Sequence, residues 1–296
     1  MQLSVIIVTY NSKDHIGACL RTVKEQTKDL EYEVIVSDNA STDGTVELIQ
    51  SEYPWVKLVK NSSNLGFGTA NNRGADIATG EVLFFLNDDT VQTGNALKQA
   101  YDKVMSDNTI GMLGFHLTYP DGSHQDSVRR FPQFMDQAMV LTKMHNFFPK
   151  MGAVKRYLAL DFDYKKEQDV DQVMGACMLA RKEVFDAVHG FDENFFIWFE
   201  EVDLQKRIMD ELGLRIVYTP DIEMIHIKGA TFGKELSLVN QRRLNNSMGY
   251  YFKKHNSVLA RLGITLLRPY SIFLAALVQL LRNRGIHVKQ YKRSQN

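Results

Sequence analysis

The first hundred residues alternate between two kinds of hydrophobic pattern. Four continuous apolar runs are separated by stretches in which apolar residues recur every three or four positions, the first pattern being typical of covered strands and the second of helices. The apolar runs are residues 3–9, 32–38, 56–59 and 82–86. This strand–helix order predicts parallel strands joined by right-handed crossovers. We therefore expect an α/β fold with a mostly parallel sheet flanked by helices.

The second half of the chain is less regular. We expect strands over residues 110–119 and 173–180, a helix over 200–212, and then two short strands, "RIVYTP" and "IEMIHI". The remainder reads as helical. Residues 125–168 are rich in Phe, Met and Lys, and we expect them to form a mobile or substrate-facing segment.

Formal net charge is zero, but the charges are unevenly distributed. Residues 236–296 carry 11 Lys and Arg and no acid, whereas residues 1–235 carry 24 Lys and Arg against 35 acids. A basic tail of this kind indicates an anionic partner, either lipid headgroups or nucleic acid. The N-terminus lacks the basic region of a signal peptide, and Cys19 and Cys177 show no metal-ligand spacing. We expect both cysteines to be reduced core residues in a cytosolic setting.

Polar residues follow three of the four predicted strands. They are residues 9–11, 38–39 and 87–89. Ligands of open parallel sheets bind beyond the carboxyl ends of the strands, so these three clusters are expected to meet at one crevice.

The adjacent carboxylates Asp88 and Asp89 follow the five apolar residues 82–86 and Asn87. Burying unpaired charge is unfavourable, but a hard divalent cation would use carboxylates together with phosphate oxygens. A solvated turn is the alternative. Asp38 is suited to ribose hydroxyls or a base N–H, with an N-cap as its alternative. Residues 66–68, "GFG", precede a helix and would let the backbone approach a phosphate, although glycine also serves any tight loop.

Two common nucleotide-binding signatures are missing from the sequence. The first strand is followed by "TYNSKD" rather than G-x-G-x-x-G, which argues against NAD or FAD, and no P-loop motif occurs.

Five ordered motifs resemble the family 2 inverting glycosyltransferases with the GT-A fold, and within them the bacterial rhamnosyltransferases. The motifs are "SVIIVTYNS", "VSDNASTDGT", "NLGFGTANNRGADIATGEVLFFLNDD", "MGACMLARKEVF…GFDENFFIWFEEVDL" and "IHIKG". The likeness covers residues 3 to roughly 255. It implies a GT-A catalytic domain over residues 1–235, with a nucleotide-binding half (about 1–120) and an acceptor half (about 121–235), followed by a basic helical extension over 236–296.

The resemblance also implies the roles of individual residues. The donor nucleotide would be held by Thr9, Tyr10, Asn11, Asp38, Asn87 and Asp88. Asp89, with His226, would hold Mg²⁺ or Mn²⁺. Asn87 stands where the family's D-x-D motif has its first aspartate, which leaves one acid fewer for the cation.

The catalytic base is expected from "FEEVDL". Relatives carry Glu-Asp here, with the aspartate as base, and Glu201 occupies that position. Glu200 and Asp203 remain alternatives, and acids at a helix N-terminus are also favoured by the helix dipole alone. The preceding aromatic residues, "FFIWF", would raise the pKa of a neighbouring carboxyl and offer a sugar ring a stacking surface, although core packing is the commoner use of such residues.

The activity implied is single displacement at an anomeric carbon with inversion. The donor would be dTDP-L-rhamnose, with UDP-sugars as the alternative, and the acceptor a lipid-linked or cell-surface glycan. Two other classes stay open: a non-catalytic nucleotide-sugar-binding relative, and a nucleotidyltransferase, which would need a glycine-rich loop after the first strand.

The C-terminal apolar stretch, residues 261–285, is interrupted by Arg268 and Pro269, leaving 12 residues (270–281) free of charge. That is short for a bilayer span, so we expect an interfacial helix on anionic lipid, and a protein that is cytoplasmic and peripheral on the inner face of the plasma membrane. Packing on the protein's own core or on a partner in a homodimer is the alternative. No nucleic-acid recognition module is present, so we expect no nucleic acid partner.

Overall fold

The structure is a computed structural model that describes residues 1–148, 151–227 and 238–283. Its strands are β1 (Leu3–Thr9), β2 (Tyr32–Asp38), β3 (Lys57–Lys60), β4 (Val82–Asn87), β5 (Thr90–Gln92), β6 (Ile110–Thr118), β7 (His124–Gln125), β8 (Val128–Arg129), β9 (Gln168–Asp169), β10 (Gln172–Val173), β11 (Cys177–Arg181) and β12 (Arg215–His226). Its α-helices are α1 (Ile16–Gln26), α2 (Thr45–Glu52), α3 (Phe67–Asp76), α4 (Ala96–Ser106), α5 (Phe134–Leu141), α6 (Gly152–Tyr157), α7 (Lys182–Ala187), α8 (Glu200–Leu212), α9 (Leu238–His255) and α10 (Val258–Asn283). A 3₁₀ turn spans Met144–Asn146.

One twisted sheet dominates the fold, with the strand order β3-β2-β1-β4-β11-β6-β12-β5. The first four strands are parallel to one another, as the alternating pattern predicts, and β12 is parallel to β6. Strand β11 enters antiparallel between β4 and β6, and β5 is antiparallel to β12. The α/β class with a mostly parallel sheet is therefore confirmed, and antiparallel pairs are concentrated in the second half.

The strand register brings the predicted polar clusters together. Thr9 of β1 lies opposite Asp38 of β2, and Val8 lies opposite Asn87 of β4. Because β1 is the centre of this three-strand group, the ends of β2, β1 and β4 open onto one edge of the sheet.

The core has three parts. Two apolar clusters cover the two faces of the sheet, as expected for strands that read as continuous apolar runs. The third joins α5, α9 and α10 to the segment before α8, through residues such as Phe195, Phe199, Tyr251 and Ile264. Cys19 and Cys177 are free and buried in the first cluster, so their assignment as reduced core residues is confirmed.

Two details of the second half differ from the sequence prediction. The motifs "RIVYTP" and "IEMIHI" form the single strand β12, which is irregular between Thr219 and Glu223. The strand predicted over 173–180 is confined to Cys177–Arg181, because residues 174–176 turn away to line a cavity. The 125–168 segment holds β8, α5, α6 and the 3₁₀ turn.

The C-terminal part contains two long helices that pack on the rest of the fold. The expected boundary at residues 235 and 236 lies outside the described residues. Helix α10 is long and apolar enough over Val258–Leu281 to cross a membrane by length and composition alone, and only 17% of that window is buried. Its buried residues, Ile264, Ser271 and Ala275, lie on one face.

Candidate active site

A cavity of about 680 Å³ opens at the carboxyl ends of β1 and β4. Its walls come from the β1 and β4 ends, the turn before β11, the segment leading into α8, the end of β12 and helix α9. The lining includes Tyr10, Asn39, Asn64, Gly66, Asn87, Asp88, Asp89, Gly175, Phe196, Trp198, Glu200, Glu201, His226, Asn240 and Arg243. The predicted crevice thus exists, and residues from both halves of the chain share it.

The acids that follow β4 are buried, with Asp88 6% and Asp89 5% exposed. They are therefore not a solvated turn. The Asp88 carboxylate accepts a hydrogen bond from the Ser12 hydroxyl. Burial, together with the neighbouring charge of Asp89, raises the pKa of Asp88 to about 7. A cation placed against this pair would relieve the unfavourable burial of two negative charges.

Asp89 lies between β4 and β5, and β5 pairs with the end of β12, which places Asp89 Oδ1 3.2 Å from His226 Nε2. His226 is held from behind: its Nδ1 lies 2.6 Å from Gln125 Oε1, while Gln125 Nε2 donates to the His226 carbonyl at 3.1 Å. Because the amide oxygen only accepts, Nδ1 is the donor in this contact, and Nε2 is the ring nitrogen directed toward Asp89 and available to a cation between them.

This pair fits a divalent cation as a partial site. Their separation lets both atoms contact one ion at bond lengths of about 2.0–2.2 Å. Within the described ranges, no group of three or more His, Cys, Asp or Glu residues is placed to hold a metal ion. An ion here would therefore need oxygens from a bound ligand and water to complete its coordination.

Asp38 is 2% exposed and is held by the Ser41 N–H, which donates to Oδ2 at 3.0 Å. Its Oδ1 is buried without a hydrogen-bond partner. A buried acceptor in this state is suited to a donor from a ligand. Neither Asp38 nor Thr9, which is buried beside it, lines the open cavity.

Tyr10 and Asn11 follow β1 and differ in their surroundings. The Tyr10 ring lines the cavity and is partly exposed. Asn11 has a positive φ of 53°, and its side-chain oxygen accepts a hydrogen bond from the Thr42 N–H at 2.8 Å. Asn11 therefore fixes the loop after β2, and it is not part of the cavity lining.

The N-terminus of α8 presents Glu200 and Glu201 to the cavity. The two residues before the helix, Trp198 and Phe199, have φ values of 65° and 71°, which bulky side chains adopt only when the surroundings impose it. This turn sends Phe196 and Trp198 to the cavity wall and Phe195 and Phe199 into the core. The "FFIWF" stretch thus packs in the core and also supplies aromatic side chains to the cavity wall, while the stacking of a sugar on them stays a prediction.

The pKa values of both glutamates are raised. Burial raises the pKa of Glu201 above its ordinary value of 4.5. Burial and the charge of Glu201 together raise the pKa of Glu200 further, and its Oε2 is buried without a partner. The charged form is therefore disfavoured at both residues, and at Glu200 the neighbouring charge of Glu201 adds to the effect of burial.

Asp203 is fully buried, and its carboxylate is occupied by contacts with basic side chains of α8 and α9. Its carboxylate pairs with Arg207 Nε at 2.8 Å, Lys254 Nζ at 2.8 Å and His255 Nε2 at 2.6 Å. It does not line the cavity. This alternative base is instead the ionic link between α8 and α9.

Gly66 is the closest contact between the two halves of the cavity. Its φ of 88° and ψ of −179° lie in a region that essentially only glycine adopts, and an added Cβ would overlap the carbonyl oxygen of Phe196. The Phe67 N–H donates to that same carbonyl at 3.0 Å. The backbone of the "GFG" loop therefore lies directly against the segment before α8.

Gly66→Ala is expected to destabilise the protein by about 1–3 kcal/mol through backbone strain, with a further cost from displacing Phe196. Urea unfolding of both proteins would measure it. Gly213→Ala is the matched control, since Gly213 also has positive φ but open space around its Cβ position. Equal losses for the two variants would contradict a steric role for Gly66.

Several cavity residues carry no signal in the sequence. Gln125 sits far from the motifs and is recognised only through its hydrogen bonds to His226. Asn240 and Arg243 reach the cavity from α9, and the Arg243 guanidinium lies 4.5 Å from the centre of the Phe196 ring. The basic tail suggested an external anionic partner, whereas part of it completes the cavity.

Comparison with known proteins places this fold and cavity among the glycosyltransferases of the GT-A class. A mannosyltransferase from Pyrobaculum calidifontis, solved in complex with GDP-Man and Mn²⁺, superimposes with a TM-score of 0.57 over 97% of this chain and 76% of that chain, at 18% identity. The chain therefore has the predicted GT-A fold.

The chain belongs to glycosyl transferase family 2, whose family model matches residues 4–162. It is 29% identical over 244 residues to the N-acetylglucosaminyl-diphospho-decaprenol L-rhamnosyltransferase of Mycobacterium tuberculosis, covering 79% of this chain and 78% of that protein. It is 26% identical over 231 residues to the rhamnosyltransferase WbbL of Escherichia coli, covering 75% and 82%. The predicted family and the rhamnosyltransferase likeness are confirmed.

Proposed function

We propose that this enzyme transfers L-rhamnose from dTDP-L-rhamnose to a lipid-linked or cell-surface glycan, with inversion and with a divalent cation, Mg²⁺ or Mn²⁺. The observation that carries the proposal is the cavity itself, where the Asp89–His226 pair and Glu201 stand on different elements of one enclosure. The names of the two rhamnosyltransferase relatives favour rhamnose and a lipid-linked acceptor. A UDP-sugar donor is the second candidate.

Asp38, Thr9 and Tyr10 would bind the nucleoside, with the unpartnered Oδ1 of Asp38 accepting a base or ribose donor. Asn11 would act through the loop it fixes, and Asn87 and Asp88 would contact the ribose side. Asp89 and His226 would hold the cation, His226 being oriented by Gln125. When bound, the cation would neutralise charge that develops on the leaving diphosphate.

Glu201 would take the proton of the acceptor hydroxyl as that oxygen attacks the anomeric carbon. A carboxylate with a raised pKa is a better base than an ordinary one, and its cavity is walled by Phe196 and Trp198. The sugar would stack on these rings. No enzyme nucleophile takes part, so one displacement inverts the anomeric configuration.

We also propose that the catalytic domain ends at residue 235 and that the enzyme is peripheral on the inner face of the plasma membrane. The basic C-terminal extension would bring the enzyme to anionic lipid, where a lipid-linked acceptor resides. Helix α9 would at the same time complete the acceptor side of the cavity through Asn240 and Arg243.

A thermal-shift panel tests the proposal. We expect dTDP or UDP to raise Tm only when Mn²⁺ or Mg²⁺ is present, because the cation needs diphosphate oxygens to complete its coordination. At 100 times Kd the stabilisation is about 2.7 kcal/mol, equivalent to several degrees in Tm. GDP and ADP serve as controls.

Two outcomes of that panel would contradict different parts of the proposal. Equal shifts with metal and with chelator would overturn the cation's role. The absence of a shift with every nucleotide and metal would overturn nucleotide-sugar binding itself. A larger shift with UDP than with dTDP would select the alternative donor.

A further inference from the structure

Helix α10 exposes a long apolar stripe. Its members recur every three or four residues, so they share one face of the helix: Leu259, Leu262, Leu266, Tyr270, Phe273, Leu277 and Leu280. Leu266 is 78% exposed. The opposite face, with Ile264, Ser271 and Ala275, is buried against the protein. The stripe is far too continuous to count as scattered surface hydrophobics.

A second exposed apolar feature lies in the same helical layer, around the 3₁₀ turn. Phe147 and Phe148 are 78% and 51% exposed, and Met144 is exposed beside them. This turn is tied to α9, because Lys143 Nζ donates to Gln241 Oε1 at 2.8 Å. The preceding helix, α5, packs on α10 where the Phe134 ring meets Gly263. We call Phe147, Phe148 and the α10 stripe together the apolar surface.

The segments that carry the apolar surface are rich in cations. In the sequence, residues 137–160 contain Lys143, Lys150, Lys155 and Arg156 and no acid, and no acid follows Glu235. Of the two flanking acids, Asp136 is 1% exposed and paired with Arg156, and Asp161 lines a surface depression with Lys155 and Arg156. Two copies meeting through this surface would bring cations against cations, which disfavours a second copy of the chain. Apolar side chains framed by cations match an anionic bilayer surface.

The packing of α10 indicates how it would meet a bilayer. The middle of the helix is held by α9: Asn245 Nδ2 donates to the Arg268 carbonyl at 3.2 Å, and Arg268 donates to Asn246 Oδ1 at 2.5 Å. A helix with one polar-bonded face on protein and one apolar face outward lies in the membrane interface rather than across it.

We propose that the Phe147–Phe148 pair and the α10 stripe form one docking surface for an anionic bilayer, with two separate points of insertion. The proposal rests on the proposed function, which requires a lipid-linked acceptor. It adds that docking involves the segment after α5 as well as the C-terminal helix. Since α9 packs between this layer and the cavity, both insertions would hold the acceptor side of the cavity toward the lipid.

Vesicle sedimentation with the full chain tests this. Vesicles of phosphatidylcholine alone are compared with vesicles containing about one third phosphatidylglycerol. We expect binding mainly to the anionic vesicles, weakened by 0.5 M NaCl, and a fall in partition of about tenfold or more for the double variant Phe147→Ser with Phe148→Ser, because two inserted rings are lost. Leu266→Gln should have a comparable effect.

The matched control is Ile77→Ser, which removes an exposed apolar side chain at the end of α3. It should bind vesicles like the parent chain. All variants should keep the nucleotide and Mn²⁺ thermal shift, so a failure of docking is separable from a failure of the proposed function.

Three results would overturn the proposal. Unchanged vesicle binding by the Phe147 and Phe148 variant would remove that segment from the docking surface. Sedimentation resistant to high salt and alkali, released only by detergent, would show that α10 crosses the bilayer. A dimer without vesicles that Leu266→Gln dissociates would assign the surface to a second copy.

Discussion

Glu201→Gln is expected to lower kcat by about 10²–10⁴-fold while the nucleotide and metal still bind, because the amide cannot accept the proton of the acceptor hydroxyl. Initial rates with a saturating donor would measure the loss, and the thermal shift with nucleotide and Mn²⁺ would verify that the donor site is intact. The variant keeps the volume of the side chain, so the aromatic wall formed by Phe196 and Trp198 is undisturbed.

Two neighbouring acids provide the controls for this variant. Burial and the charge of Glu201 raise the pKa of Glu200, which disfavours its charged form, so Glu200→Gln should change kcat far less than Glu201→Gln. Asp203→Asn should instead reduce stability by about 3–5 kcal/mol, since it removes the fully buried charge that pairs with Arg207, Lys254 and His255. Turnover that survives Glu201→Gln but not Glu200→Gln would reassign the base.

The same assignment fixes the sign of the pH dependence. Protonated Glu201 cannot act as a base, so activity is present above its pKa and lost as the pH falls through it. Because burial raises that pKa, the acidic limb of the rate profile should lie above 4.5, the ordinary value of a glutamate. A limb at or below that value would contradict the burial argument.

Asp89→Asn is expected to abolish metal-dependent nucleotide stabilisation and to lower kcat by roughly 10²–10³-fold, the usual size of losing one electrostatic contact to a developing charge. The variant keeps the side-chain shape but gives up the negative charge that faces His226. Titration of Mn²⁺ in the presence of dTDP or UDP measures the effect directly.

Gln125→Met gives a graded comparison. It leaves both metal ligands in place but removes the partner of His226 Nδ1, so Mn²⁺ affinity should fall by about 10–100-fold, less than for Asp89→Asn. Nucleotide binding without metal should be unaffected by either variant. If Asp89→Asn retained full Mn²⁺ dependence, the cation would have to bind elsewhere.

The sequence was sufficient to predict the first half of the sheet because its signals are local. Apolar runs and helical periods located β1, β2, β4 and the helices between them, and polar residues at three strand ends located the cavity. The boundaries of α8, Glu200–Leu212, followed from the same periodicity. Asp89, His226, Glu200 and Glu201 were all brought to one cavity as the resemblance implied, although their chemical roles stay predictions.

The remainder depends on contacts between distant segments, which no local pattern records. Asp203 looked like a third candidate base and proved to be an ion-pair centre only because Lys254 and His255 arrive from α9. Nothing in the sequence around Gln125 predicts its contact with His226, which depends on the position of β12 in the sheet. The sequence predicted that Asn11 contacts the ligand. In the structure its side-chain oxygen accepts a hydrogen bond from the Thr42 N–H, which the fold of the loop after β2 places beside it.

The Asp203 ion-pair centre has a consequence for how such enzymes diversify. Helices α8 and α9 share one buried anion, Asp203. Neither helix can be exchanged alone, because the exchange would leave uncompensated charge in the interior. Asn240 and Arg243, which line the cavity, belong to α9 as well. Recombination that swapped tails between related transferases would therefore alter the cavity wall and folding together, and lineages would be expected to retain the two helices as a unit.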